Sequence, residues 1–73
     1  MRATVQAVMP FELHGTRYYQ VIYVADGAAG AQQARLSHDM VDADLQPGEA
    51  IDVHAILGVV DGIRRVPVNG ATA

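Results

Sequence analysis

The segment Leu45 to Val68, LQPGEAIDVHAILGVVDGIRRVPV, constrains the fold more than any other part of the chain. Pro47-Gly48 marks a turn, because Pro presets φ at the first central position and Gly accepts positive φ at the second. From Glu49 to Val60 the apolar residues alternate. This puts Ile51, Val53, Ala55, Leu57 and Val59 on one face and Asp52, His54, Ile56, Gly58 and Val60 on the other. Gly58 is expected to let that long strand bend. Asp61-Gly62 is a favoured hairpin dipeptide, so Ile63 to Val68 is expected to return as the last strand. A turn, a half-buried strand and a tight hairpin are the parts of a small β-barrel.

Upstream residues extend the same pattern. Thr4 to Met9 alternates, with Val5, Ala7 and Met9 expected on one side and Thr4, Gln6 and Val8 on the other. Pro10 marks a bulge or an edge, since it removes a ladder donor, and Phe11 and Leu13 continue beyond it. His14-Gly15-Thr16-Arg17 reads as a turn. Tyr18 to Ala25, YYQVIYVA, is aromatic and β-branched almost throughout, and both of its faces are rather apolar. A loop at Asp26–Gly30 precedes a short strand at Gln32–Ser37. Ser37 to Leu45 has room for one or two helical turns, with Ser37 or Asp39 as cap and Met40, Val41 and Leu45 buried. The order is three strands, a short helical turn, then two strands. The expected fold is therefore all-β, a five-stranded OB-like Greek-key barrel formed by residues 1–73 as one domain, with 68–73 as a tail. An SH3-like barrel or half of a β-sandwich is the competing architecture.

A chain of 73 residues is close to the smallest size that buries a self-sufficient core, which favours self-association, and a homodimer is expected. With no cysteine, neither a disulfide nor a thiolate metal site can reinforce it. The net charge of −3 counts against diffuse attraction to nucleic acid or anionic membranes. No secretory leader or spanning segment is read, so a cytoplasmic protein is expected. Lysine is absent, so every permanent side-chain cation is an arginine, suited to stacked or bidentate contacts.

Chemistry-bearing motifs are sparse. His38, Asp39 and Asp42 lie close in sequence, as do Asp52 and His54, but neither group follows a metal-ligand spacing, and no metal or other cofactor is expected. Ser37 is flanked by His38 and Asp39, yet sequence neighbours do not assemble a triad, so no catalytic residue is assigned. The two glycines of the Asp26–Gly30 loop lack the lysine and the spacing of a phosphate loop. What remains is an aromatic and arginine set. Tyr18, Tyr19 and Tyr23 could present flat faces to unstacked bases, with Arg17, Arg35, Arg64 and Arg65 on phosphates. The alternative is that at least two of the tyrosines are core or interface residues. Arg64 and Arg65 alternate in direction, so one of them at most enters a given groove.

HGTRYYQVIYVADG, LQPGEAIDVHA and VDGIRRVPV together resemble the small single-stranded DNA-binding proteins of filamentous phages and related mobile elements. The resemblance runs from about Val5 to Val68. It implies an OB-like barrel that coats single-stranded DNA as a dimer, with Arg17, Tyr18, Tyr19 and Tyr23 on the base-stacking strand. The acidic balance departs from the basic groove of that family. A second reading is a small phage- or plasmid-encoded module that modulates a host protein through the acidic Ser37–Asp52 region. That region holds five Asp and Glu and no arginine.

Overall fold

The computed structural model describes residues 1–66. Five antiparallel strands form one sheet: β1 (Arg2–Leu13), β2 (Thr16–Ala25), β3 (Gln32–Ser37), β4 (Ala50–Ile56) and β5 (Val59–Arg65). Their order across the sheet is β3-β2-β1-β4-β5, so a meander of three strands is followed by a crossover to the far side of β1. A single 3-10 turn, His38–Met40, follows β3. The all-β class, the strand count and a helical turn between the third and fourth strands match the expectation from sequence.

Every strand contributes to one core. Ala3 and Val5 of β1, Val21 and Tyr23 of β2, Leu36 of β3, Ile51 and Val53 of β4 and Ile63 of β5 pack with Val41 and Leu45. A flat sheet could not gather residues from both edge strands and the centre, so the sheet rolls on itself with one face inward. It is not a closed barrel. The edges meet through one parallel bridge, Val41 to Ile63, reinforced by the Asp42 N–H donating to the Ile63 carbonyl at 3.2 Å. Burying each large aliphatic side chain contributes roughly 1.5–3 kcal/mol, and the core buries eight of them: Val5, Val21, Leu36, Val41, Leu45, Ile51, Val53 and Ile63.

The Pro-Gly turn anchors this roll. Pro47 and Gly48, the latter at φ 90°, sit between the Gln46 carbonyl and the Glu49 N–H that closes on it at 3.1 Å. Gly48 N–H then donates to the Val5 carbonyl at 2.8 Å, and Val5 N–H to the Glu49 carbonyl at 2.9 Å. The register of β1 against β2 shifts between Val5 and Ala7. This bulge explains the first correction to the sequence reading. Val8 joins Val5 against the core, whereas Met9 goes to the outer face and is 43% exposed. Pro10 is accommodated because β1 pairs with β4 only from Arg2 to Thr4, leaving it a single neighbour beyond.

The second correction concerns the last hairpin. The chain turns at Leu57-Gly58, not Asp61-Gly62, and β4 ends at Ile56. Asp61 and Gly62 instead occupy a bulge in β5, where the register against β4 shifts between His54 and Ala55. Both sites suit irregular backbone, and pairing Val53 with Ile63 in the core selects the earlier turn. Ala55, Leu57 and Val59, expected on one face with the buried Ile51 and Val53, are consequently exposed. The helical turn is also shorter than expected: Val41 and Leu45 are buried, but Met40 is 41% exposed and the Ser37 side chain makes no cap. The end of the expected last strand and the tail at 68–73 lie outside the described residues. No helix among the described residues is long and apolar enough to cross a membrane.

Candidate nucleic-acid interface

Strand geometry divides the aromatic and arginine set into four environments. Tyr19, Val21, Tyr23 and Ala25 point inward along β2, whereas Tyr18, Gln20, Ile22 and Val24 point outward. Tyr23 is 1% exposed, a core residue whose hydroxyl donates to Gln32 Oε1 at 3.3 Å. It cannot meet a base, and its assignment to stacking is withdrawn. Tyr19 packs against the core. One side of it borders a cleft of about 430 Å³ shared with Arg17, Pro10, Asp44 and Pro47. Arg17, beside Glu12 at 3.9 Å, belongs to this inner side of the sheet, as residues alternate along the strand.

Arg65 is a structural clamp. Its Nε donates to Glu49 Oε2, its terminal nitrogen donates to the carbonyls of Ala43 and Asp44 at 3.0 and 3.2 Å, and its backbone N–H donates to Asp42 Oδ2 at 2.6 Å. These bonds fasten the Asp42–Glu49 loop across the end of β5. The guanidinium holds the Glu49 carboxyl below its usual range, assisted by the Gln46 N–H, and Glu49 in turn raises Arg65. Arg65 therefore leaves the nucleic-acid set. The same contacts turn Asp42 and Glu49 inward, and Asp39 accepts from the Ser37 hydroxyl, which lowers its pKa. Asp52 accepts from the N-terminal ammonium at 3.2 Å, so four of the five acids in the supposed acidic surface are engaged within the chain.

Arg64 points outward, but into a self-neutralising row. Asp26 lies beside Arg2, whose carbonyl accepts its N–H at 2.9 Å; Arg2 faces Asp52 across β1 and β4, and Asp52 faces Arg64 across β4 and β5. Asp42 ends the row, 3.4 Å from the Arg64 guanidinium. The signs alternate across the sheet, an arrangement that stabilises cross-strand neighbours and leaves little field for a polyanion. A cleft of about 550 Å³ beside this row is lined by Asp52, His54, Asp61 and Arg64 among others, with His54 Nδ1 2.5 Å from Asp61 Oδ1. No cluster of three or more metal-binding side chains occurs among the described residues.

The remaining outward residues form a more coherent group. Phe11 of β1 faces Tyr18 of β2, their rings stacked with centroids 5.6 Å apart and planes 18° from parallel. In the next row Met9 faces Gln20, and Gln20 faces Arg35 of β3. Met9, Pro10, Phe11, Gln20 and Arg35 line a shallow cleft of about 300 Å³. Gln20 Nε2 donates to Gln33 Oε1, extending the polar edge of the cleft. Arg35 is exposed and has no carboxylate within ion-pair distance among the described residues. Its guanidinium remains open to a ligand.

Of the seven residues singled out by sequence, the structure brings Arg35 to this cleft and Tyr18 onto its Phe11, places Arg64 on the same face but in a paired row, and puts the other four elsewhere. Phe11 and Gln20 were missed. Phe11 is the chain's single phenylalanine, and its position relative to Met9 was readable, but its pairing with Tyr18 depends on a register that only the bulge and turn together define. No family model, no curated protein and no solved structure matches the chain.

Proposed function

We propose that the chain is a non-enzymatic, OB-like module that binds single-stranded DNA on the outer face of β1, β2 and β3. The observation that carries this reading is the stacked Phe11–Tyr18 pair beside Arg35, which has no carboxylate partner among the described residues. The pair is half-buried, and the part of its aromatic surface left in water accepts any base, because every base has a π-face, at about 1–3 kcal/mol per base. Gln20 and Gln33 offer amide donors and acceptors to base edges, and Arg35 reaches a phosphate or covers a base. The strand order, with a single bridge between the β3–β4 connection and β5, fits an OB-type barrel left partly open.

The reading differs from the one drawn from sequence in its energetics. With Arg64 and Arg65 paired internally, stacking rather than charge carries affinity. Oligo-dT titrated by fluorescence anisotropy is expected to bind with a shallow salt dependence. The slope of log K against log salt is about −1 to −2, equivalent to one to three phosphates at about 0.7 each. Arg35→Ala reduces both affinity and slope, while Arg65→Ala reduces thermal stability instead. No binding at low salt, or binding indifferent to Phe11→Ala, Tyr18→Ala and Arg35→Ala, would rule the proposal out. The host-protein reading retains Asp44 as the exposed acid of the loop after β3, since Asp42 and Glu49 are engaged with arginines.

A further inference from the structure

The β4–β5 hairpin ends in a tip with no polar side chain from Ala55 to Val60. Ile56 is 55% exposed, Val59 66% and Leu57 98%. The tip is a two-residue turn between paired Ile56 and Val59, with Leu57 at φ 52° and Gly58 at φ 82°. Positive φ at both central positions defines a turn that prefers Asn, Asp or Gly at the first. A leucine there is strained by its Cβ and gains no burial from its own chain. Neither folding nor solubility accounts for it, and an outlier of that kind points to a contact outside the chain.

At the other end of the molecule is a feature of complementary chemistry. β4 runs antiparallel to β1 and passes its start, so the tip lies beyond Arg2, whereas the cleft of Met9, Pro10, Phe11, Gln20 and Arg35 lies towards the opposite end of β1. This cleft is apolar on its floor and cationic at its rim. Behind the tip is Asp61, one residue past Val60, with one carboxylate oxygen on His54 Nδ1 and the other without a cation within ion-pair distance among the described residues. Anionic lipid and nucleic acid do not suit the tip, because no cation lies between Ala55 and Val60 and the arginine behind it is paired with Asp42. A second copy of the chain supplies both what the leucine needs and what Arg35 lacks.

We infer that the chain self-associates head to tail, the Leu57 tip of one copy seated in the Met9–Phe11–Arg35 cleft of the next, with Asp61 brought towards Arg35. A heterologous contact of this kind leaves a free tip and a free cleft at the ends, so it propagates into rings or open chains rather than stopping at a two-fold dimer. A single tip buries less than a standard interface, so the association is weak and depends on concentration. It does not rest on the nucleic-acid reading, competes with it for the same cleft, and is measured without nucleic acid.

The test uses nuclease-treated full-length protein in sedimentation velocity and light scattering. Wild type is expected to increase in mass-average weight with concentration up to the millimolar range, past twice the monomer. Leu57→Asp, which blocks the tip, and Met9→Glu, which blocks the cleft, are each expected to remain monomeric with unchanged circular dichroism. Mixed in equal amounts, the two variants restore one intact tip and one intact cleft between them, and are expected to form a one-to-one dimer and nothing larger. A wild type monomeric at millimolar concentration would overturn the inference. So would either single variant associating as wild type does, or a mixture that stays monomeric.

Discussion

Tyr18 and Tyr23 lie on one strand, on opposite faces of one sheet, and the two faces obey different rules. The inner face gathers Tyr23, Val21, Ile51, Val53 and Ile63 from the strands and closes over them almost completely. The outer face presents an exposed Met9 and half-buried Phe11, Tyr18 and Ile22, interrupted by Gln20 and Arg35. A core of this size needs its inner face for stability. The outer face covers its aromatic pair only in part and leaves Arg35 exposed, so its residues contribute less to the core.

The sharpest way to break that contrast is to truncate the two tyrosines in turn. Tyr23→Ala removes a fully buried ring and leaves a cavity, and is expected to lower stability by about 3–5 kcal/mol, a large fraction of what a domain this small possesses. Urea denaturation gives the value directly. Tyr18→Ala loses the stacked contact with Phe11 and is expected to lower stability by about 0.5–1.5 kcal/mol. Its larger effect is on oligo-dT binding, weakened by about 1–3 kcal/mol, or roughly 5- to 150-fold. Equal losses of stability at the two positions would show that the faces are not functionally distinct.

The strands themselves were legible because alternation and β-branched content report directly on a half-buried sheet. Gln32–Ser37 is predicted and found with the same bounds. Which face is which was less legible, because one inserted residue reverses every side chain that follows. The bulge after Val5 sends Met9 outward, and the displaced hairpin puts Leu57 in water. Nothing local in the sequence announces either: Asp61-Gly62 is better turn chemistry than Leu57-Gly58, and it lost to the pairing of Val53 with Ile63. The arginines were illegible for another reason. Arg64 and Arg65 look equally free in sequence, and only the return of the Asp42–Glu49 loop shows that one clamps it and the other joins a charged row.

The two hairpin tips sharpen the comparison at smaller scale. His14-Gly15 and Leu57-Gly58 have the same backbone, with positive φ at both central positions. One presents an imidazole and the other an exposed leucine. If the leucine serves a contact and not the fold, Leu57→Asn is expected to stabilise the monomer by a few tenths to about 1 kcal/mol, since Asn tolerates positive φ. The same replacement is expected to reduce self-association. A destabilised Leu57→Asn would mean that the tip packs within its own chain.

The smallest expected effect lies on the loop that joins the two faces. Arg65 and the Gln46 N–H hold the Glu49 carboxyl below the ordinary carboxylate range, so the unfolded chain binds that proton more readily than the folded one. Stability from this contact is therefore fully present above the unfolded value and falls as acid protonates the folded carboxylate. Asp39, lowered by the Ser37 hydroxyl, contributes in the same direction and in the same acidic window. Urea midpoints followed downward from pH 6 are expected to decline below the ordinary carboxylate range. Glu49→Gln is expected to flatten part of that decline, and Ser37→Ala a smaller part. Because Glu49 is partly exposed, added salt should weaken the effect of Glu49→Gln, while leaving the loss in Tyr23→Ala unchanged. An acid profile identical in Glu49→Gln and wild type would remove Arg65 from its role as the clamp of the loop.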